Sequence, residues 1–485
     1  NRFPLPLKML LRFAMRYIST RGEAPTLDFA DCLLAGLARD GGLYMPESWP
    51  QVTPAEIAAY AGQPFHAVAF DVIRRFTGGA IPDAVLAEAT KAAYASFAHD
   101  AVTPLQQIGP NRFVLELFHG PTLAFKDVAM QLLARLMDYA LERKGARATI
   151  VGATSGDTGG AAIEAFRASK RADVFILFPD GRVSDVQRRM MTTPTEKHIH
   201  AITVPGTFDD CQNLVKGLFN HLAFRDEVRL SGVNSINWAR IVAQVTYYFV
   251  AAVALGAPHR KVSFSVPTGN FGDIFAGYVA KKMGLPIETL VIATNSNDIL
   301  ARTLATGRYE MAGVAATSSP SMDIQISSNF ERLLFEASGR DAGAVQRMMA
   351  GLKQSGAFTL PETVLKAIRA EFRAERASEA EVGDAIRATR EHAAYTLDPH
   401  TATGIAAADK AKLDPSIPVV VLATAAPAKF PDAMRAIAGI DAPLPPRLAH
   451  LMTDKERMAP VANDPAALEA FIRAGIGKID PGKGV

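Results

Sequence analysis

RFVLELFHGPTLAFKDVAMQLLARLMDYALERK, residues 112–144, is the stretch that decides the fold. The apolar run at 112–118 has the length of a strand, and HGPTLAFKD at 119–127 has the Gly and Pro of a loop. Apolar residues then recur at helical spacing over 128–144. A strand, a loop and a helix in this order are typical of a mostly parallel sheet covered by helices. The pattern places Lys126 near the N-terminus of a helix.

The same order occurs twice more along the chain. Glycine-rich loops that enter helices bind phosphates and carboxylates, because unpaired N–H groups meet the positive end of the helix dipole there. The loops ATSGDTGG and PTGNFGD are both of this kind, so they indicate two anionic groups. The TGNFG part also suits a tight turn with positive φ. The units are strand 148–152, loop ATSGDTGG and a helix from near Ala161, and strand 262–266, loop PTGNFGD and a helix from near Ile274.

Neither loop has the features of a nucleotide-binding motif. GATSGDTGG at 152–160 lacks the Lys-Ser/Thr pair that follows the last Gly of a Walker loop. No G-x-G-x-x-G follows a strand with an acidic partner beyond it. The sequence therefore argues against a kinase or a dehydrogenase.

The length of 485 residues predicts several domains, because single cores stop growing at roughly 250–300 residues. An Arg/Glu/Ala-rich segment at 370–389 is expected to be the solvated face of a helix, since opposite charges recur three or four residues apart. The predicted division is a leader or tag at 1–14, a mainly helical domain at 15–100, α/β domains at 101–255 and 256–450, and a C-terminal helical tail at 451–485.

Charge and cysteine usage exclude several other classes of protein. A net charge of +3 on a chain of this length gives little reason to expect binding to nucleic acid or to a membrane surface. Cys32 and Cys211 stand alone, so neither a disulfide framework nor a metal site is predicted, and a reducing cytosol is expected. The apolar stretch 241–255 is short of the roughly 20 residues of a membrane span and is interpreted as a buried helix.

Lys126 is the residue whose surroundings suggest chemistry. A lysine forms an imine with an aldehyde cofactor only when its amine can lose its proton at neutral pH. Apolar neighbours at 123–125 and a helix N-terminus would both lower the pKa of Lys126. The alternative is an ordinary exposed lysine at the start of a helix.

Five segments together resemble those of threonine synthases. These belong to the fold-type-II family of pyridoxal-phosphate (PLP) enzymes, which includes tryptophan synthase β and serine/threonine dehydratases. The resemblance extends from Met15 to about Leu451 and implies an α/β fold of the tryptophan synthase β type, with mostly parallel sheets covered by helices and a helical N-terminal domain. The segments are HGPTLAFKD (119–127), SGDTGG (155–160), NSINWAR (234–240), PTGNFGD (267–273) and LATAAPAKF (422–430).

The resemblance implies a role for each matching residue. Lys126 matches the lysine that carries PLP as a Schiff base, and Thr424 matches the hydroxyl residue at the pyridine nitrogen. The remaining matches are Thr268, Gly269, Asn270, Phe271 and Gly272 for the PLP phosphate, Thr154, Ser155, Gly156, Asp157 and Thr158 for the substrate carboxylate, and Asn234, Ser235 and Arg240 for the substrate phosphate.

Some of these assignments have alternatives in the sequence itself. Arg240 suits a bidentate phosphate contact, but it could also be a salt-bridged arginine at a helix start. Thr424 could simply end an apolar strand. His119 and His400 are candidate polar groups near the cofactor or hydrogen-bonded structural histidines. Ala426 departs from the family, where a His is expected, so no role of that His applies here.

The resemblance implies a carbon–oxygen lyase that converts O-phospho-L-homoserine and water to L-threonine and phosphate in threonine biosynthesis. A cytoplasmic monomer or homodimer is expected, without a metal. Two alternatives stay open. One is another fold-type-II reaction, such as that of a serine/threonine dehydratase, and the other is a phospho-ligand binding protein that keeps the fold without chemistry.

Overall fold

The structure, a computed structural model, describes residues 15–477. The predicted leader at 1–14 lies outside the described residues, as does the end of the predicted tail. The described part of that tail contains a short 3-10 helix, Pro446–Met452, and one α-helix, Pro465–Gly475. No helix of residues 15–477 is long and apolar enough to cross a membrane.

Helices account for much of residues 15–477. They are α1 Phe29–Ala35, α2 Pro54–Ala59, α3 Phe65–Thr77, α4 Asp83–Tyr94, α5 Lys126–Arg143, α6 Asp157–Phe166, α7 Asp185–Thr192, α8 Phe208–Asn220, α9 Leu222–Glu227, α10 Trp238–Ala254, α11 Gly272–Lys282, α12 Ile299–Thr306, α13 Phe330–Ala337, α14 Ala342–Ser355, α15 Glu362–Glu371, α16 Glu379–Ala393, α17 Pro399–Lys410, α18 Pro431–Ala438 and α19 Pro465–Gly475. Two further 3-10 helices are Pro320–Met322 and Pro427–Lys429.

The strands form two larger sheets and two small ones. They are β1 Tyr17–Ser19, β2 Tyr44–Pro46, β3 Leu105–Gly109, β4 Arg112–Glu116, β5 Ala148–Ala153, β6 Ala172–Pro179, β7 Ile199–Val204, β8 Leu230–Ser231, β9 Val262–Pro267, β10 Ile287–Thr294, β11 Arg308–Glu310, β12 Ala357–Thr359, β13 Phe372–Arg376, β14 Val419–Ala423 and β15 Ala459–Pro460.

Both larger sheets are mostly parallel, which confirms the predicted fold class. The first has the order β13-β10-β9-β14-β4-β3, and only its edge strand β3 is antiparallel to its neighbour. The second has the order β15-β7-β6-β5-β8, and all its pairs are parallel. β1–β2 and β11–β12 are separate antiparallel pairs.

The larger sheets do not follow the predicted boundary at residue 255. Strands β3 and β4 join the sheet whose other strands all lie after that residue. The polypeptide therefore crosses from one larger sheet to the other between β4 and β5, and the domain boundaries stay predictions. The loop that carries Lys126 leaves β4 in one sheet, while the ATSGDTGG loop leaves β5 in the other.

Helix α10 lies at the centre of the molecule. The stretch 241–255, which the sequence predicts to be a buried helix, lies almost entirely within α10, Trp238–Ala254. Nearly all side chains of this helix are buried. α10 contacts α11, α5 and α3, so it joins both α/β bodies to the N-terminal region. Trp238 packs against the rings of Tyr17, Trp49 and Phe76.

The prediction of one solvated helix at 370–389 is wrong for the first part of the segment, whereas α16 gives a helix with an exposed face from 379 onward. α15 ends at Glu371, and β13 then forms the parallel edge of the six-stranded sheet, paired with β10. Phe372 is only 1% exposed and packs against Phe271 and Tyr278, which fixes the segment as a strand. Charged residues are common on edge strands because they oppose further pairing, so the same charge pattern fits both structures.

Candidate active site

Lys126 is the first residue of α5 and faces inward. Its side chain lies over the ring of Phe125, and the residue is 8% exposed. The Phe125 N–H donates to the carbonyl of Thr424 (2.8 Å), and Ala124 pairs with Ala425. The loop before α5 is thus hydrogen-bonded to the end of β14, which places Thr424 next to the residue that precedes Lys126.

The amine of Lys126 faces the carboxylate of Asp157. Its Nζ lies 3.3 Å from Oδ2 of Asp157, at the start of α6. The other oxygen, Oδ1, lies 2.7 Å from Nζ of Lys429 and accepts from Nε2 of Gln187 (2.9 Å). Ser321 Oγ donates to Oδ2 (3.3 Å). The side chain of Asp157 is therefore engaged by Lys126, Lys429, Gln187 and Ser321.

Burial lowers the pKa of Lys126, as the sequence predicts. The charge of Asp157 opposes this effect, and the charges of Lys429 and Arg240 reinforce it. Burial alone would raise the pKa of Asp157, but the neighbouring charges of Lys429, Lys126 and His400 hold it well below the usual range. The pocket therefore contains an ionised carboxylate next to a lysine amine that loses its proton readily.

The TGNFG loop has the geometry of an anion cradle. The backbone N–H groups of 269–272 have no protein acceptor within residues 15–477, and they lie at the start of α11. Phe271 has φ 63°, and a Cβ on Gly269 would meet the carbonyl oxygen of Ser321 at 2.8 Å. Glycine is therefore needed at 269 for close approach, and the donors fit the phosphate of PLP.

The SGDT loop offers a second set of backbone donors. The Oγ1 of Thr154 accepts from the N–H groups of Gly156 and Gly159 (2.9 Å each), which fixes the turn. Gly156 has φ 130° at the N-terminus of α6. For the N–H groups of Ser155, Asp157 and Thr158, the described residues provide no acceptor, so they can bind a carboxylate.

Arg240 is a buried cation without an acidic partner. It is 3% exposed, its Nη1 donates to the Val233 carbonyl (3.3 Å), and its Nε has no partner within residues 15–477. The salt bridges of the described chain do not include Arg240, so the salt-bridge alternative finds no support. Burial lowers the pKa of Arg240 to about 10. Its charge contributes to the lowered pKa of Lys126.

The other two residues predicted for the substrate phosphate are less enclosed. Asn234 is exposed and Ser235 is half-buried. The Ser235 carbonyl accepts from Nδ2 of Asn329 (3.1 Å), which also donates to the carbonyl of Asn270 (2.9 Å). Asn329 thus joins the NSINWAR segment to the TGNFG loop.

Arg332 extends this link to the N-terminal region. It is fully buried and donates to the carbonyls of Tyr44 (3.0 Å) and Ile236 (2.7 Å). Its guanidinium group lies 5.5 Å above the ring of Trp238. Sequence reasoning missed Asn329, Arg332, Gln187, Ser321 and Lys429, although Lys429 stands within the LATAAPAKF segment.

The two candidate histidines are both hydrogen-bonded to carboxylates. His119 Nε2 lies 2.6 Å from Oε2 of Glu116, and His400 Nδ1 lies 2.8 Å from Oδ2 of Asp398. The Nε2 of His400 is buried without a partner within residues 15–477, and its charge would reach Asp157. The ring of His400 also packs against Phe430, the residue that follows Lys429.

Ala426 lies at the edge of a cavity of about 380 Å³. Phe118, His119, Leu123 and Arg447 also line it. The Ala426 N–H donates to the Leu123 carbonyl (3.0 Å), so the backbone connection to the lysine loop does not need a histidine side chain here.

A buried lysine of lowered pKa, between two glycine-rich anion loops at the ends of parallel strands, defines a PLP-dependent enzyme. The chain matches the family model "Pyridoxal-phosphate dependent enzyme" over residues 98–425. It also matches "Threonine synthase N terminus" over 16–94 and "Threonine synthase, C-terminal" over 401–472.

Relatives with the same name match over nearly the whole chain. The threonine synthase of Pseudomonas aeruginosa is 51% identical over 459 residues, covering 94% of this chain and 98% of that protein. The one from Saccharomyces cerevisiae is 45% identical and covers 86% and 88%. The crystal structure of PLP-bound threonine synthase from Brucella melitensis has a TM-score of 0.93 and 61% identity, covering 95% and 99%. The chain belongs to the threonine synthase family of PLP-dependent enzymes.

Proposed function

We propose that this enzyme converts O-phospho-L-homoserine and water to L-threonine and phosphate. The observation that carries the proposal is Arg240, a buried cation without an acidic partner whose charge reaches Lys126. A desolvated arginine of this kind is stable when a phosphate or carboxylate completes its hydrogen bonds. The SGDT loop would bind the carboxylate of the substrate, and Arg240 would bind a second anionic group. A phosphorylated amino acid carries both groups.

The cofactor has a matching set of residues. Lys126 would hold it covalently, the 268–272 loop would bind its phosphate, and Thr424 would contact its pyridine nitrogen. When bound, PLP acts as an electron sink that acidifies the carbons of the attached amino acid. A hydroxyl at the ring nitrogen, unlike a carboxylate, does not force that nitrogen to stay protonated.

Lys126 is the general base that we assign to Cα. Burial favours the neutral form of its amine, which is the form that would accept the Cα proton. The same amine returns a proton to Cα before threonine leaves. The other chemical changes are removal of a Cβ proton, loss of the γ-phosphate, addition of water at Cβ and protonation of Cγ.

Arg240, Asn234 and Ser235 hold the phosphate before and after it leaves. A phosphate retained there is a second proton carrier close to Cβ and Cγ. Asn234 is exposed, so this side of the pocket opens to solvent. Closure over the substrate would exclude water until the addition at Cβ.

The experiment that tests the proposal compares two substrates. Phosphate release from O-phospho-L-homoserine with formation of L-threonine is the expected result, together with a cofactor band at about 410–430 nm. Lys126→Ala should lose both the band and the activity. Turnover of L-threonine alone would favour the dehydratase alternative. A colourless protein that binds O-phospho-L-homoserine without releasing phosphate would favour the binding-protein alternative.

We also propose a cytoplasmic enzyme that is a monomer or a homodimer. Cys32 and Cys211 are both buried as free thiols, which suits a reducing compartment. Light scattering on the purified chain measures its mass in solution, and a tetramer or larger assembly would contradict this part of the proposal.

A further inference from the structure

A buried ion pair that the proposed reaction does not use lies beside Lys126. Lys429 ends the 3-10 helix Pro427–Lys429, directly after β14, and is 1% exposed. Its Nζ lies 2.7 Å from Oδ1 of Asp157, whereas Nζ of Lys126 lies 3.3 Å from Oδ2. One carboxylate therefore separates two lysine amines, and its shorter contact is to Lys429.

Helix α7 holds this pair in place. Ser184, which caps the helix, donates from Oγ to the Lys429 carbonyl (2.9 Å). Gln187, in the first turn of the same helix, donates from Nε2 to Oδ1 of Asp157 (2.9 Å). Both partners of the ion pair are thus fixed from one helix end, so the distance between Lys429 and Asp157 is set by the fold.

The charges in this pocket do not balance if both lysines are protonated. Asp157 and, above about pH 6, Asp127 offer two negative charges, while Lys126, Lys429 and Arg240 offer three positive ones. An unpaired buried charge is destabilising, which favours loss of a proton from the amine with the weaker contact to Asp157. That amine is Lys126. The other titratable groups facing the pocket are Asp127 on α5, toward Lys429, Asp273 on α11, toward Lys126, and His400 on α17, toward Asp157.

We propose that Lys429 is a positioning residue that holds Asp157 and, as a second buried cation, keeps the Lys126 amine in its neutral, nucleophilic form. The inference rests on the proposed function only in taking Lys126 as the residue that captures PLP. The direction of the pKa shift agrees with it, since burial and the charges of Lys429 and Arg240 lower the pKa of Lys126 while Asp157 raises it.

The test follows covalent capture of PLP by the full chain after the cofactor has been removed. The adduct at Lys126 is trapped with borohydride, and the rate at which it forms is measured by mass spectrometry at several pH values. This rate rises with the fraction of the amine that is neutral, so its midpoint in pH follows the pKa of Lys126. Removing the like charge in Lys429→Met raises the pKa of Lys126, so the midpoint moves about one pH unit upward. Capture at pH 7 is then about tenfold slower. No substrate is involved, so failure of the proposed function leaves this result interpretable.

Lys429→Arg serves as the matched control. It keeps the cation, so it should keep the wild-type midpoint. An unchanged midpoint in Lys429→Met would overturn the proposal, and so would an equal shift in Lys429→Arg.

Lys429→Met leaves a buried carboxylate with one cation fewer and is the variant at risk of not folding. Lys429→Gln removes the charge but keeps a hydrogen-bond donor for Asp157, so its midpoint should move upward like that of Lys429→Met. An unchanged midpoint in folded Lys429→Gln would overturn the proposal.

Discussion

Asp273 is a carboxyl group buried directly after the TGNFG loop. The hydroxyls of Tyr247 and Tyr248 donate to its Oδ1, and its Oδ2 has no partner within residues 15–477. Burial raises the pKa of Asp273 to about 7, against the opposing effect of the two tyrosines and of Lys126. An acid held this way is protonated in the folded chain at pH values where the unfolded chain has lost the proton.

The first prediction is a pH-dependent gain in stability for Asp273→Asn. Between about pH 4 and 7 the folded chain binds more protons at this site than the unfolded chain, so wild-type stability falls as pH rises. The amide does not titrate. The melting temperature of the cofactor-free variant should therefore rise relative to that of wild type from pH 5 to pH 8. The free-energy difference should grow by at most about 1.4 kcal/mol per pH unit.

Asp226→Asn is the control for this experiment, since Asp226 is exposed on α9. It should show no gain with pH. A constant difference between Asp273→Asn and wild type across the range would contradict a raised pKa for Asp273.

Arg240→Met is predicted to separate recognition of phosphate from binding of the rest of the substrate. A charged hydrogen-bonding group contributes about 1.5–3 kcal/mol, so kcat/KM for O-phospho-L-homoserine should fall about 10- to 150-fold. Binding of L-threonine, which has no phosphate, is followed by the change in cofactor absorbance and should weaken much less. An equal loss for both ligands would show that Arg240 supports the pocket in general.

At the level of residues, the sequence predicts those functional groups whose neighbours along the chain form a recognisable pattern. Lys126 follows three apolar residues at a helix start, and its predicted pKa direction is confirmed. Gln187 and Ser321 give no such signal, because only the fold brings α7 and the 3-10 helix Pro320–Met322 to Asp157. Lys429 was within a recognised segment, but its burial depends on packing that the segment alone does not show.

Among the elements, the N-terminal turn of α6 leaves no room for a side chain at Gly156. A Cβ on Gly156 would lie 2.3 Å from Cδ of Gln187, and φ 130° disfavours any other residue. Gly156→Ala should therefore displace Gln187 from Asp157 and weaken PLP binding about tenfold or more, as measured by absorbance titration.

Gly181→Ala separates steric conflict from backbone strain. Gly181 also has positive φ, but a Cβ there would meet nothing within 4 Å. This variant should lower the melting temperature through a strain of about 1–2 kcal/mol and leave PLP affinity unchanged. Equal PLP affinities in the two variants would contradict a specific role of the space beside Gly156.

Sequence periodicity located the elements better than it located their ends. α6 begins at Asp157 and α11 at Gly272, earlier than Ala161 and Ile274, because apolar spacing becomes visible only after the polar first turn. β13 was missed because its alternating charges also fit helical spacing, and only the burial of Phe372 distinguishes the two.

Across the whole molecule, one apolar cluster joins regions that the sequence suggested were separate. It runs from Tyr17 through Trp238 and Phe271 to Leu422. Local patterns predicted the α/β class and the parallel sheets, since each strand-loop-helix unit is local. They could not show that β4 would pair with β14, because that contact joins residues about 300 positions apart in the chain and depends on the complete fold.

The continuous core predicts that residues 15–100 and the PLP body unfold together. The chain has two tryptophans, Trp49 and Trp238, and both pack at the contact between these regions. In urea, tryptophan fluorescence and the cofactor band should therefore change at the same concentration. Arg332→Met leaves the carbonyls of Tyr44 and Ile236 without their donor, so the free energy of unfolding should fall by about 2–5 kcal/mol. Both transitions should then move together to a lower urea concentration. A fluorescence transition that clearly precedes loss of the cofactor band would show instead that the N-terminal region unfolds independently.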